Sequence, residues 1–450
     1  MYVTIDNIRN QQIFQQCGGA ADIAVSGRVL DKNAEEAGNV YAQLMREYDF
    51  TCVTNWVRCE CRGTEYTGVL RDVPSGGHYQ LRVKWAPSED TDFEINGDVR
   101  FHLGVGDIWL IAGQSNAVGY GKTPAVNESD PRAHLLAIDG SWRDATAPLS
   151  EGYAPLTEGY LTGASPCVSF ANTLVRALNY PIGLVQTALG GTPISAWQKD
   201  GALQKNLLEK ARGVGGRVKG VLWHQGCSDT GTDADARQYL EAFTRLTRDV
   251  RAALDAPELP FLTVQLNKTF PLGDEHIGPR FAMVKEAQRR AGETIDGVYV
   301  APSIDLGLSD WVHNNAAANL TLGQRLAWLA LECVYGQRYM GRCPNVQSAV
   351  LENDTVRVCF AHVYGHLVGA LPPGEDFIVE DAQGVISHAP CRYERDAVLI
   401  PLLRAPAGDA ACSFAPYHLN TGFLPFDRAT GMPPLAFYRY PVTAKKGAAL

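Results

Sequence analysis

Ser115 sits in Gly113-Gln114-Ser115-Asn116, directly after an apolar run at residues 108–112 that glycine flanks on both sides. A small polar turn at the carboxyl end of a buried strand is where open α/β sheets hold their reacting groups, so Ser115 is the candidate nucleophile. A serine nucleophile needs a base within hydrogen-bond reach, commonly a histidine oriented by a carboxylate. Among ten histidines, the informative one is His313 in Asp310-Trp311-Val312-His313. An acid three residues before a histidine can fold back in one turn, accept the imidazole N–H and fix the tautomer. Asp310 is that acid and Asp305 is its rival. Acyl transfer also needs donors for an oxyanion. The backbone N–H of Ser115 and those of the Gly190-Gly191 turn are candidates, because glycine permits close approach. Gln225 adds a side-chain amide. Cys227 has no electropositive partner in the sequence and reads as a small buried filler rather than a nucleophile.

The elements that must carry these residues alternate. Candidate strands at 108–112, 182–188, 220–223, 261–265 and 297–302 are interleaved with helical periodicity at 171–178, 235–254, 281–290 and 320–334. Such alternation predicts a three-layer α/β fold with a mostly parallel sheet. Each candidate residue then falls at a strand's carboxyl end. The stretch 121–166, rich in Pro, Gly and Ser, is long for a connection and reads as an excursion over the active-site face. Short β-rich runs among Gly and Pro turns occupy both flanks, including 23–29, 77–84, 355–360, 377–379 and 397–400. The domain reading is 1–104 as a β-sandwich or jelly roll, 105–338 as the catalytic unit, and 339–450 as a β-rich unit.

Composition excludes several classes. With 40 Lys+Arg against 49 Asp+Glu, the net charge is −9 and basic residues form no block, which argues against a nucleic-acid partner. No apolar stretch has transmembrane length. The N-terminus lacks the features of a secretory leader, so the reading is a cytoplasmic chain, or a secreted or periplasmic one with its leader trimmed. Eleven cysteines show no ligand spacing, and no metal or cofactor is expected. The sequence assigns no oligomeric state.

Four blocks recur in order: Gly113-Gln114-Ser115-Asn116, Gly190-Gly191-Thr192-Pro193-Ile194-Ser195-Ala196-Trp197, Trp223-His224-Gln225-Gly226, and Asp310-x-x-His313. The set resembles the sialate O-acetylesterase-like carbohydrate esterases of the SGNH-hydrolase superfamily. The resemblance implies an SGNH-type (flavodoxin-like) catalytic domain between β domains. It also implies metal-free removal of O-acetyl groups from a carbohydrate substrate by Ser115, His313 and Asp310. Gln114, Asn116 and His224 are the expected substrate contacts; Trp197 and Trp223 read as core aromatics. The chain departs from the family where its usual Tyr and Glu are His224 and Cys227, and where its usual Pro is Asn314. These departures bear on the substrate pocket. Two other readings stand beside this one: an acetylxylan or other acyl esterase of the same mechanism, and a non-catalytic glycan-binding protein on an esterase scaffold.

Overall fold

The computed structural model describes residues 1–31, 38–88, 93–122, 129–149, 152–153, 163–270, 274, 276–369, 376–417 and 424–444. Segments 123–128, 150–151 and 154–162 of the expected excursion, and 418–423 near the end, lie outside the described residues.

The site-bearing sheet uses β1 (Ile95–Gly113), β2 (Ala133–Leu136), β3 (Trp142–Asp144), β4 (Ile182–Gln186), β5 (Gly220–His224), β6 (Phe261–Val264) and β7 (Val298–Ala301). Its order is β3-β2-β4-β1-β5-β6-β7, parallel throughout except for the antiparallel edge pair β2–β3. Residues 133–144 therefore build the edge strand β3 and its neighbour β2, where the sequence reading had only a connecting excursion. The fold is α/β with mixed sheets.

Side chains alternate along β1 and feed two apolar cores. Trp109 and Ile111 pack against α1 (Pro166–Leu178) and α5 (Ala316–Cys333) on one face. Ile108, Leu110 and Ala112 pack against α2 (Ala202–Gly213), α3 (Asp233–Ala253) and α4 (Ile277–Thr294) on the other. Burial on both faces is why 108–112 reads as a continuous apolar run rather than an alternating one. Each fully buried large apolar side chain contributes roughly 1.5–3 kcal/mol. The helix starts are chemically fixed. Ser165 caps α1 by accepting the Cys167 N–H, with Pro166 in the first turn. Asn315 caps α5 by accepting the Ala318 N–H at 2.8 Å, so this helix begins three residues after His313.

β1 is longer than its apolar run. Residues 95–105 pair antiparallel with the strand Gly76–Ala86, and 104–106 pair parallel with Ile13–Gln15. One strand thus enters from the N-terminal β region and ends at the Ser115 turn. Its buried Asp107 accepts from Gln15 and Gln16 side chains (2.8 and 3.1 Å) and from the Tyr180 and Tyr335 hydroxyls (2.7 and 2.9 Å). That satisfies a carboxylate which would otherwise be costly to bury. Residues 345–444 add an eight-stranded sheet among the described residues, with its own apolar core around Val358, Phe377, Phe414 and Phe437.

Candidate active site

The carboxyl ends of β1, β4 and β5 are stitched together by main-chain hydrogen bonds. The Leu189 N–H donates to Gly113 O and the Gln114 N–H to His224 O, both at 3.0 Å. Gly113 has φ +118°, and a Cβ there would lie 2.3 Å from His224 O, so only glycine permits this approach. The chain then makes one buried helical turn, Ser115–Val118, which presents Ser115 at its start.

His313 meets Ser115 across 198 positions of sequence. Its Nε2 lies 2.8 Å from Ser115 Oγ, and its Nδ1 lies 2.8 Å from Asp310 Oδ2. The other Asp310 oxygen, Oδ1, accepts the N–H groups of Val312 (3.0 Å) and His313 (2.8 Å). Burial alone would raise the Asp310 carboxyl, but these donors and the imidazole outweigh it and hold it below its ordinary range. Asp305 is engaged elsewhere, in a bidentate pair with the buried Arg325 guanidinium at 2.7 and 2.6 Å. The acid beside His313 is therefore Asp310.

Asn116 explains why the loop lands there. Its Nδ2 donates to Val312 O and its Oδ1 accepts from the Asn314 N–H, both at 3.1 Å. One carboxamide clasps the residues on either side of His313. Gln114 does the same for β5: its Oε1 accepts from Gly226 N–H (3.1 Å) and Ser228 N–H (3.3 Å). Gln114 and Asn116, the expected substrate contacts, are both buried and tie neighbouring loops together through these bonds.

Gln225 also departs from its expected task. Its amide nitrogen is directed at Thr192 O (3.0 Å), Gln114 Oε1 (3.3 Å) and Asp229. Two N–H groups facing three acceptors leave nothing for an oxyanion, so Gln225 ties the β4 turn to the β5 turn. The Gly190-Gly191 turn follows β4 as expected, with Gly191 at φ +70°. His224 is buried, and burial followed by the proximity of His313 depresses it to about 3, leaving a neutral ring beside the pair. Burial, then the neighbouring Asp229, pushes the Cys227 thiol up to about 12, which rules it out as a thiolate nucleophile.

Three participants escaped sequence reasoning. Tyr120 stacks on His313 with ring centroids 5.0 Å apart and planes 19° apart, a face against which an imidazolium is favoured. Lys122 places its exposed ammonium 3.8 Å from Asp310. Asp229 is buried and accepts the Ile194 N–H at 3.0 and 3.1 Å as well as the Gln225 amide. An Asp two residues beyond Cys227 was the only sequence signal for it.

Burial raises Asp229 from an ordinary 3.8 to about 6, against the opposing pull of its two donors. A carboxyl raised on folding contributes stability that is full below its unfolded value and lost as pH rises through its folded value. Asp310, lowered on folding, has the opposite sign and acts only below its ordinary range. The urea midpoint of the wild type, measured relative to Asp229→Asn, is therefore expected to fall between pH about 4 and about 6. A flat difference across that window would contradict the burial argument.

The family model described as "Carbohydrate esterase, sialic acid-specific acetylesterase" matches residues 105–332. A probable carbohydrate esterase of Arabidopsis thaliana is 30% identical over 259 residues, covering 53% of this chain and 95% of that protein. The sialate O-acetylesterases of Pongo abelii and Homo sapiens are each 27% identical over 230 residues, 41% of this chain. The match spans only 42% of each of those two proteins. Among solved structures, a carbohydrate acetylesterase from Xanthomonas citri has the same fold, with a TM-score of 0.68 at 22% identity over 97% of this chain and 99% of that one.

Proposed function

This chain belongs to the sialic acid-specific acetylesterase family of carbohydrate esterases, and on that premise we propose that it removes acetyl groups from sugar hydroxyls by a serine mechanism. The observation that carries the reading is the unbroken hydrogen-bonded relay Asp310–His313–Ser115 at the carboxyl end of the sheet. Ser115 Oγ attacks the acetyl carbonyl carbon while His313 Nε2 takes its proton. The backbone N–H groups of Ser115 and of the Gly190-Gly191 turn receive the developing oxyanion, held in place by the Gln225–Asp229–Ile194 ties. Collapse expels the sugar oxygen, to which His313 returns the proton. Water, activated by the same nitrogen, then hydrolyses the acetyl-enzyme to acetate and free Ser115.

Tyr120 supports the imidazolium that forms in both steps, and Asp310 supports its charge. The proposed architecture is a three-layer SGNH-type catalytic unit at 105–338, between β domains at 1–104 and 339–450. The two cores facing opposite sides of the parallel sheet, and the separate cores of the flanking sheets, support that division.

The test is acetate release from a panel holding O-acetylated sialic acid, acetylated xylo-oligosaccharides and an acetylated monosaccharide. Stoichiometric acetate from at least one of them is expected. Saturable binding to these glycans with no acetate released would overturn the reading in favour of a binding protein.

A further inference from the structure

In the half of β1 remote from Ser115, three side chains converge at neighbouring strands. Glu47 follows the strand Asn39–Arg46, His78 lies in Gly76–Ala86, and His102 lies in β1. These strands are adjacent, in that order, in one sheet. Each residue offers one ligand atom within 4.8 Å of the other two. His102 Nδ1 is 2.7 Å from Glu47 Oε2, the His102 N–H donates to Glu47 Oε1 at 2.5 Å, and the Glu47 N–H donates to His78 O at 3.0 Å. We propose that Glu47, His78 and His102 bind a divalent cation of the zinc class.

The donor set fits. Two imidazoles and a carboxylate, with a fourth position for water, suit a borderline cation far better than the all-oxygen shells of calcium or magnesium. The surroundings orient the ligands as metal sites require. His78 Nε2 lies 2.7 Å from Pro131 O; a carbonyl can only accept, so the proton sits on Nε2 and Nδ1 keeps its lone pair. His134 stacks on His78 with centroids 5.6 Å apart and fixes the ring plane, while its own nitrogens face Gln11 O (2.6 Å) and Pro131 O (2.9 Å). His102 holds φ +57°, a conformation uncommon outside glycine, which histidine and asparagine tolerate better than most residues. A hydrogen bond alone accounts for the contact of Glu47 with His102. It does not account for a second imidazole held within reach of both.

The three ligands lie 24 to 55 positions apart, on or just after separate strands, so no local spacing could reveal them; the expectation of no metal came from that lack of spacing. Some 13 residues of mostly extended chain, roughly 40 Å, separate His102 from Ser115, so the ion takes no part in ester hydrolysis. It would instead cross-link the three strands that deliver β1 to the active site, and Pro131 would couple that cross-link to β2.

Chelator-treated full-length protein is titrated with Zn²⁺ by calorimetry, beside His102→Asn and Glu47→Gln. Asparagine preserves the left-handed backbone and removes the imidazole. One site per chain is expected in the wild type, weakened roughly tenfold or more in each variant. Saturating Zn²⁺ is expected to raise the wild-type Tm by roughly 2–5 °C and to leave kcat on an acetyl ester unchanged. No saturable site in the wild type, or equal affinity in His102→Asn, would overturn the proposal. The second result would also be the signature of zinc held by exposed thiols such as Cys17 and Cys52.

Discussion

Replacing Ser115 by Ala is expected to lower kcat/KM for 4-nitrophenyl acetate by on the order of 10⁴–10⁶. The hydroxyl is the atom that forms the acyl bond, and His313 Nε2 lies 2.8 Å from it, placed to take its proton. His313→Ala is expected to fall in the same range, because an unactivated serine hydroxyl is a weak nucleophile at neutral pH. The informative variant is the double one. Residues that act as a unit lose their effect together, so Ser115→Ala/His313→Ala should be no slower than either single change. A double variant slower by the product of the two factors would mean that they act independently, and the relay would fail as a description. Folding is not at stake: far-ultraviolet circular dichroism and Tm should match the wild type within a few degrees, since the hydroxyl contributes only one hydrogen bond.

The second large effect concerns Asp310, and its sign relative to alanine is diagnostic. The N–H groups of Val312 and His313 both point at Oδ1. In Asp310→Asn, those donors fix the carboxamide oxygen at that position and turn its NH₂ toward His313 Nδ1. The imidazole must then accept at Nδ1 and carry its proton on Nε2, facing Ser115, where it cannot serve as base. A loss of roughly 10²–10⁴ in kcat is expected. Asp310→Ala leaves the tautomer free and should lose less. Initial rates of the two variants across pH 6–9, compared with the wild type, check the order. Asn better than Ala would mean that Asp310 acts only through loop geometry.

What the sequence made legible follows from where the physics is local. The run at 108–112, the Ser115 turn and Asp310-x-x-His313 each carry their signal within a few residues, whereas the helix starts capped by Ser165 and Asn315 lie ahead of the periodicity read from 171 and 320. Asp310 could be preferred to Asp305 by spacing, but the reason Asp305 is unavailable, a salt bridge to Arg325, is 20 positions away. The ties made by Gln114, Asn116 and Gln225 were not legible for the same reason. Polar side chains in these blocks looked free for substrate or oxyanion, whereas partners 33 to 198 positions distant engage them. The first half of β1 was missed because Asn96, Asp98, Arg100 and His102 interrupt its apolar pattern. Those polar groups are satisfied by distant partners, Asp98 by the Tyr2 hydroxyl and Arg100 by Ile5 O and Ile8 O.

The most direct measurement is to catch the intermediate. Protein mixed with excess 4-nitrophenyl acetate is acid-quenched within the first turnovers, digested, and the peptides weighed by mass spectrometry. One acetyl group on the peptide carrying Ser115, localised to that residue and absent from Ser115→Ala, is the result the relay predicts. Steady acetate release with no acetyl group on Ser115 at any quench time, or an acetyl group of equal occupancy on another residue of Ser115→Ala, would contradict it.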